Sequence, residues 1–321
     1  MSNVLSAVEL CAGAGGQSLG LEMAGFKHAA LVEIDNHCCQ TLRSNRPAWN
    51  VVEQDLRKFD GSPYRGVDLL AGGLPCPPFS VAGKQLGDAD ERNLFPEGIR
   101  LVSEIRPRAV MIENVRGILD AVFDDYRRYI SGEIASLGYW TDWRLLNACD
   151  YGVPQLRPRV VFIAIQKEIK CGSPWPAPSL LSPPTVADTL SDLLAAKGWG
   201  MIKAWQKTAN QVAPTIVGGS KKHGGPDLGP TRAKKAWAAL GVDGMGIANE
   251  PPDPDFVGMP RLTVRMAARI QGFPDDWKFF GSKTAAYRQV GNAFPPPVAA
   301  AVANGIAAIL NKTSIQRLAA A

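Results

Sequence analysis

Histidine is nearly missing from this chain, with three in 321 residues. Six cysteines are present (Cys11, Cys38, Cys39, Cys76, Cys149 and Cys171), but none form a C-x-x-C pair. Without either pattern the expectation is no zinc or other metal site. Scattered thiols in a chain of this size predict a reducing cytoplasm rather than a disulfide framework. No apolar run reaches membrane-spanning length; the 299–310 stretch is short and broken by Asn304 and Gly305. Residues 1–8 carry neither a basic start nor a long apolar core, so they read as the lead-in to a strand, not as a signal peptide. Internal repeats and long low-complexity tracts are also absent.

What is present is 46% hydrophobic residues, ordinary for a globular chain with a large core and room for two domains. The net charge is +5, and it is local: between 201 and 240 seven Lys/Arg stand against one acid, Asp227. A basic local field suits a polyanionic partner, although a solvated lysine-rich surface gives the same pattern.

The chain is organised around residues 73–80, where Cys76 sits among Pro75, Pro77 and Pro78. The apolar run 67–71 before it reads as a buried parallel strand, ended by Gly72 and Gly73. A rigid thiol beyond a strand's carboxyl end is where open α/β sheets place chemistry. Most free cysteines are simply buried, so the rest of the chain has to argue for this one.

Strand, glycine loop and helix succeed one another over 4–10, 11–16 and 17–24. This arrangement lets a nucleotide-like ligand approach the backbone at a helix N-terminus. The dinucleotide fingerprint is broken, because Ser18 stands where its third glycine would be. A second strand, 29–33, ends at Glu33, placed to accept hydrogen bonds from a ribose, with Asp35 as the alternative. A third, 51–54, ends at Asp55. Each acid alone is more often a cap, but with the glycine loop they outline an adenosyl pocket.

Helices are expected over 37–45, 97–105 and 126–137, strands over 109–112, 141–147 and 160–165, and a mobile loop over 83–95. Glu113 then closes the strand after the Cys76 strand, so thiol and carboxylate share one crevice if the sheet is parallel. An ion pair of Glu113 with Arg116 is the competing explanation. Gln155, Arg157 and Arg159 alternate, so an extended backbone aims all three one way. Residues 174–184 are proline-rich and read as a hinge; from about 167 to 258 periodicity is weak, and 215–225 reads as a glycine-rich basic loop. A helix over 261–272 is capped by Thr263, 287–297 reads as a second proline-locked loop, and the helix 298–310 returns to the first domain.

Taken together, these motifs resemble the cytosine-5 DNA methyltransferase family, in family order and over most of the chain except its middle. Residues 9–16 resemble the first cofactor motif and Pro75-Cys76 the catalytic loop. Glu113-Asn114-Val115 resembles the acidic motif and Gln155-x-Arg157-x-Arg159 the Gln-x-Arg-x-Arg motif. Residues 261–274 resemble the helix flanking the recognition domain, and Gly291-Asn292 with Pro295-Pro296 the last motif. Four positions depart from the family pattern: Pro77 for Gln, Cys11 for Phe, Glu9 for Asp and Met266 for Glu.

The resemblance implies a Rossmann-like α/β methyltransferase sheet, formed by 1–167 with 288–321, and a smaller inserted target-recognition domain over 168–287. It implies S-adenosyl-L-methionine as cofactor, held by Leu10, Cys11, Ala12, Gly13, Gly15, Gly16, Glu33, Ile34, Asp55, Leu56, Leu94 and Asn292. It implies Cys76, Glu113, Arg157 and Arg159 as catalytic residues acting on a flipped cytosine, with Ser80, Gln155, Lys221 and Lys222 on DNA. Further expectations are a monomer acting on duplex DNA, no membrane, a restriction endonuclease of the same system not stably bound, and the cytoplasm of a prokaryotic cell or a phage origin. The same chemistry on transfer RNA, or a DNA-binding protein without catalysis, are the alternatives; the broken fingerprint disfavours a nicotinamide dehydrogenase.

Overall fold

The computed structural model describes residues 4–75, 93–218 and 226–319. Seven strands form one sheet in the order β3-β2-β1-β4-β5-β7-β6. These are β1 Ser6–Leu10, β2 Lys27–Glu33, β3 Val51–Glu53, β4 Leu69–Gly72, β5 Ala109–Val115, β6 Tyr139–Asn147 and β7 Pro158–Gln166. The first five run parallel, while β7 is antiparallel to both β5 and β6. Their apolar residues are buried on both faces, as a sheet sandwiched between helices requires. Strand order reverses between β1 and β4, which opens a crevice at their carboxyl ends.

One face of the sheet is covered by α3 (Phe95–Ile105) and α4 (Asp124–Ser136), packed on Val8, Leu70, Val110 and Phe162. The other is covered by α1 (Gly16–Met23) and the C-terminal helix, whose Val298, Val302, Ile306 and Leu310 meet Ala7, Leu69 and Met111. Two glycines let these helices approach closely. A Cβ on Gly16 would lie 2.3 Å from the Phe294 carbonyl, and one on Gly20 2.6 Å from that of Pro296. The last helix thus returns to the first motif, as the sequence leads one to expect. It is longer than its apolar core suggests, and within 283–312 an 18-residue window reaches mean hydropathy 1.5. By length and composition that stretch could cross a bilayer, contrary to the sequence reading, but 72% of the window is buried within the fold.

The remaining elements are α2 (Asn36–Asn45), α5 (Val186–Leu194), α6 (Ile202–Thr208), α7 (Thr231–Ala239), α8 (Val264–Ile270), α9 (Lys283–Asn292) and α10 (Pro296–Ala319), the last being the C-terminal helix. A separate apolar cluster gathers Leu190, Trp205, Trp237, Leu262, Ile270 and Tyr287 from α5 to α9. Thr263 caps α8, its Oγ accepting from the Met266 N–H at 3.2 Å. The Met266 sulfur stands where a carboxylate would complete the capping box, 3.4 Å from the Thr263 N–H.

The 287–297 segment differs from its reading as a loop. Tyr287–Asn292 are helical turns of α9, and α10 starts at Pro296. Proline stops a helix from within but fits its first turn, so Pro295–Pro297 mark a start and not a locked loop.

Candidate active site

Two cavities open at the carboxyl ends of the strands, and Pro75 lies on the wall of both. The smaller, about 340 Å³, is lined by Cys11, Val32, Glu33, Ile34, Asp55, Leu56 and Leu94. Glu33 ends β2 and organises this wall. One carboxylate oxygen accepts from the Gly13 N–H at 2.7 Å, the other from the Ile34 and Asp35 N–H groups, both at 2.8 Å. Gly13 has φ of +55° and no atom within 4 Å of where a Cβ would sit, so the loop presents open backbone at this point. Asp55 accepts from Arg57, which holds its carboxyl below the usual range and therefore ionised at neutral pH. Ile34, 65% exposed, adds an apolar face at the rim. A carboxylate, open glycine backbone and apolar walls fit a nucleoside with a charged tail.

The expected cofactor residues separate into two groups here. Cys11, Gly13, Glu33, Ile34, Asp55, Leu56 and Leu94 are on or beside this wall. Leu10, Ala12, Gly15 and Gly16 are buried behind it: the Leu10 carbonyl accepts from Gly73 N–H at 3.3 Å, and Ala12 N–H donates to Val32 at 3.1 Å. A Cβ on Gly15 would meet Leu42 and Trp277 at 2.8 Å, so its role is close packing. Asn292 departs from expectation, for it lines the second cavity and not the one with Glu33. Cys11 stands on the cavity wall where an aromatic ring was the family pattern. Burial, then the charge of Glu33, pushes its thiol pKa well up, so it stays protonated.

The second cavity, about 650 Å³, is assembled from distant segments: 73–75, Glu113 to Phe123, Arg159, 216–218 and Gly291-Asn292. Glu113 lies within β5, opposite Val161 of β7, and not past the strand's end. Its partner is Arg159, not Arg116: Arg159 Nε is 2.8 Å from Glu113 Oε1, with each side chain 12% exposed. Burial raises the Glu113 pKa, and the guanidinium charges of Arg159 and then Arg157 oppose that rise. Burial likewise lowers that of Arg159, with Glu113 opposing. The result is a carboxyl pushed upward by burial beside a fixed cation, an arrangement suited to hydrogen bonding with the polar edge of a ring. Asn114 donates to the Leu74 carbonyl at 2.9 Å, tying the acidic strand to the loop that leads into Cys76.

Gln155 and Arg157 share one side of the chain, as the alternation predicts, but that side faces inward. Both are fully buried. Gln155 donates to Gln271 Oε1 at 2.8 Å and accepts from the Ile216 N–H at 2.8 Å. Its expected role on DNA is corrected, since no surface of it is open to a ligand. Arg157 gives its protons to the carbonyls of Ile216, Gly291 and Ala293. Burial, then the like charge of Arg159, pushes its pKa down, yet those oxygens keep it charged. Its place is structural, beneath the cavity wall. The role of Gln271 was missed, because a lone amide at a helix end carries no sequence signal of its own.

Cys76, Ser80, Lys221, Lys222 and most of the expected 83–95 loop lie outside the described residues. The two ends of that interval meet, however, with Leu94 N–H donating to the Pro75 carbonyl at 3.4 Å.

An open doubly wound sheet with a nucleoside-sized cavity joined to a carboxyl–guanidinium cavity defines a group-transfer enzyme of methyltransferase architecture. Comparison with known proteins makes this specific. The family described as C-5 cytosine-specific DNA methylase matches residues 5–308. The chain is 54% identical to the Type II methyltransferase M.NgoMIV of Neisseria gonorrhoeae, covering 96% of this chain and 98% of that protein. It is 53% identical to the Type II methyltransferase M.NaeI of Lentzea aerocolonigenes, covering 96% and 76%. A solved E. coli structure, described as a putative DNA modification methyltransferase encoded within a prophage, superposes with a TM-score of 0.70 at 27% identity, covering 96% and 99%. The chain belongs to the C-5 cytosine-specific DNA methylase family and is an enzyme of that family.

Proposed function

We propose that this enzyme methylates carbon 5 of a cytosine flipped out of a specific duplex DNA sequence, through a covalent adduct with Cys76, using S-adenosyl-L-methionine. The observation that carries the reading is the shared wall: Pro75, next to Cys76 in the chain, borders both the Glu33 cavity and the Glu113–Arg159 cavity.

In this reading Glu33, Asp55, Gly13, Ile34 and Leu56 hold S-adenosyl-L-methionine, which supplies an electrophilic methyl group. The Cys76 thiolate adds to carbon 6 of the cytosine, and the ring electrons move toward carbon 5 and nitrogen 3. Protonated Glu113 donates to nitrogen 3 and absorbs that charge, while Arg159 steers the ring carbonyl and fixes the carboxyl. With the methyl group on carbon 5 and the donor left as a thioether, a water molecule takes the carbon-5 proton, and the freed electron pair breaks the carbon–sulfur bond and releases Cys76 as thiolate. Leu94, on the wall of the Glu33 cavity, helps to keep water from that side of the site.

Residues 168–287 act as the target-recognition domain, with 1–167 and 288–321 as the catalytic domain. Lys221 and Lys222 contact phosphate. The chain works as a monomer in a prokaryotic cytoplasm, alongside a restriction endonuclease that it does not stably bind. The bacterial Type II methyltransferases at 54% and 53% identity support DNA rather than transfer RNA as the polymer. Cys76→Ser is expected to abolish transfer of a labelled methyl group to duplex DNA while duplex binding persists; methylation surviving in that variant overturns the assignment of Cys76.

A further inference from the structure

The cavity beside Glu113 owes two of its walls to segments that no sheet ladder holds. Ile216, Val217 and Gly218 form one, and Gly291 with Asn292 the other. Three fully buried polar side chains, Gln155, Arg157 and Gln271, reach both. Gln271 closes α8, and its amide donates to the Ala293 carbonyl at 2.5 Å while its oxygen accepts from Gln155. Gln155 Oε1 accepts from the Ile216 N–H, and Arg157 donates to the Ile216 carbonyl at 2.5 Å and to that of Gly291 at 2.6 Å. The connection from α8 to each wall is therefore an unbroken chain of hydrogen bonds without water access.

The two walls also touch directly. A Cβ on Gly218 would lie 2.2 Å from Asn292 Oδ1, and one on Gly291 2.4 Å from the Gly218 Cα. Gly218 is the last described residue before the lysine-bearing 219–225 stretch. A shift of the α5–α9 cluster cannot be absorbed at this crossing and must move the cavity walls with it.

We propose that Gln271 is a positioning residue, which acts through Gln155 and Arg157 to set the width of the base cavity where Gly218 meets Asn292. The inference rests on the reading of this cavity as the seat of the target cytosine. Gln271 touches no substrate; it transmits the seating of the α5–α9 region to the site that receives the base.

Gln271→Met preserves length and removes both hydrogen bonds. The test measures kcat, KM for duplex DNA and the dissociation constant of S-adenosyl-L-methionine. It also measures fluorescence of 2-aminopurine placed at the target position identified by bisulfite sequencing. The expected result is a KM for DNA raised roughly tenfold or more and a weakened fluorescence gain, with cofactor affinity within about twofold of wild type. Gly218→Ala, which presses the same walls apart from the opposite side, is expected to behave alike and decides the matter if Gln271→Met does not fold. Overturning results are DNA KM and fluorescence both unchanged in a folded variant, or cofactor affinity lost in parallel, which marks a general structural defect. Wild-type protein that transfers no methyl group to duplex DNA sinks the reading of the cavity itself, a distinguishable failure.

Discussion

The two cavities that meet at Pro75 are built in opposite ways. The Glu33 cavity is local: Glu33 ends β2, Cys11 and Asp55 come just after β1 and β3, and backbone N–H groups lock the Glu33 carboxylate. The Glu113–Arg159 cavity draws on five separate stretches between residues 73 and 292, stitched by Asn114, Arg157, Gln155 and Gln271. A cavity built from strand ends inherits its order from the sheet. One built from distant loops needs buried polar ties, and each tie becomes a place where it can fail.

That contrast predicts separable losses. The largest is expected from Glu113→Gln, which keeps the shape but removes the proton donor. Methyl transfer should fall about 10²–10³-fold, with S-adenosyl-L-methionine affinity unchanged. Single-turnover kinetics and cofactor titration check both halves, and a parallel loss of cofactor binding breaks the separation. Glu33→Ala should do the reverse, weakening cofactor affinity roughly 10–100-fold by leaving three backbone N–H groups unpaired, with duplex binding intact.

Glu9 sharpens the comparison from beneath. It is buried in β1, and burial, relieved in part by Ser18 and reinforced by Glu33, pushes its pKa up to about 8. A folded-state pKa above the unfolded value means that stability is full below the unfolded value near 4.5 and falls as pH rises through about 8. The unfolding temperature should therefore fall between about pH 5 and pH 8 and level off above that, and Glu9→Gln should flatten that slope; an unchanged slope removes Glu9 as its source. The smallest effect is expected at the surface. Neutralising Lys221 and Lys222 together should weaken duplex binding several-fold and reduce the salt slope by about 2. An unaltered slope means that these lysines do not meet phosphate.

Much of the Glu33 cavity was legible in sequence because it lies at strand ends, and short continuous apolar runs locate buried parallel strands. Residues 29–33 predicted β2 ending at Glu33, as found. The pairing of Cys76's strand with Glu113's also followed, since β4 and β5 are parallel neighbours. The Glu113–Arg159 cavity was legible only in its residue types. Arg159 was expected beside the chemistry and pairs with Glu113, but the alternation that grouped it with Gln155 and Arg157 could not say that their shared side is interior. Helices α5, α6 and α7 went unseen because they are short and set among prolines and glycines, where tertiary packing around Trp205 and Trp237 outweighs local pattern. The extension of α9 through Tyr287–Asn292 was hidden by the prolines that follow it.

The central claim is that Cys76 bonds covalently to a cytosine presented between these cavities. A duplex carrying 5-fluorocytosine at the target tests it most directly, because fluorine at carbon 5 leaves no proton to lose and the carbon–sulfur bond cannot break. Wild-type protein with S-adenosyl-L-methionine is predicted to give a protein–DNA species stable on a denaturing gel, and Cys76→Ser none. An adduct that forms without Cys76, or no adduct from wild-type protein that methylates the unmodified duplex, contradicts the account.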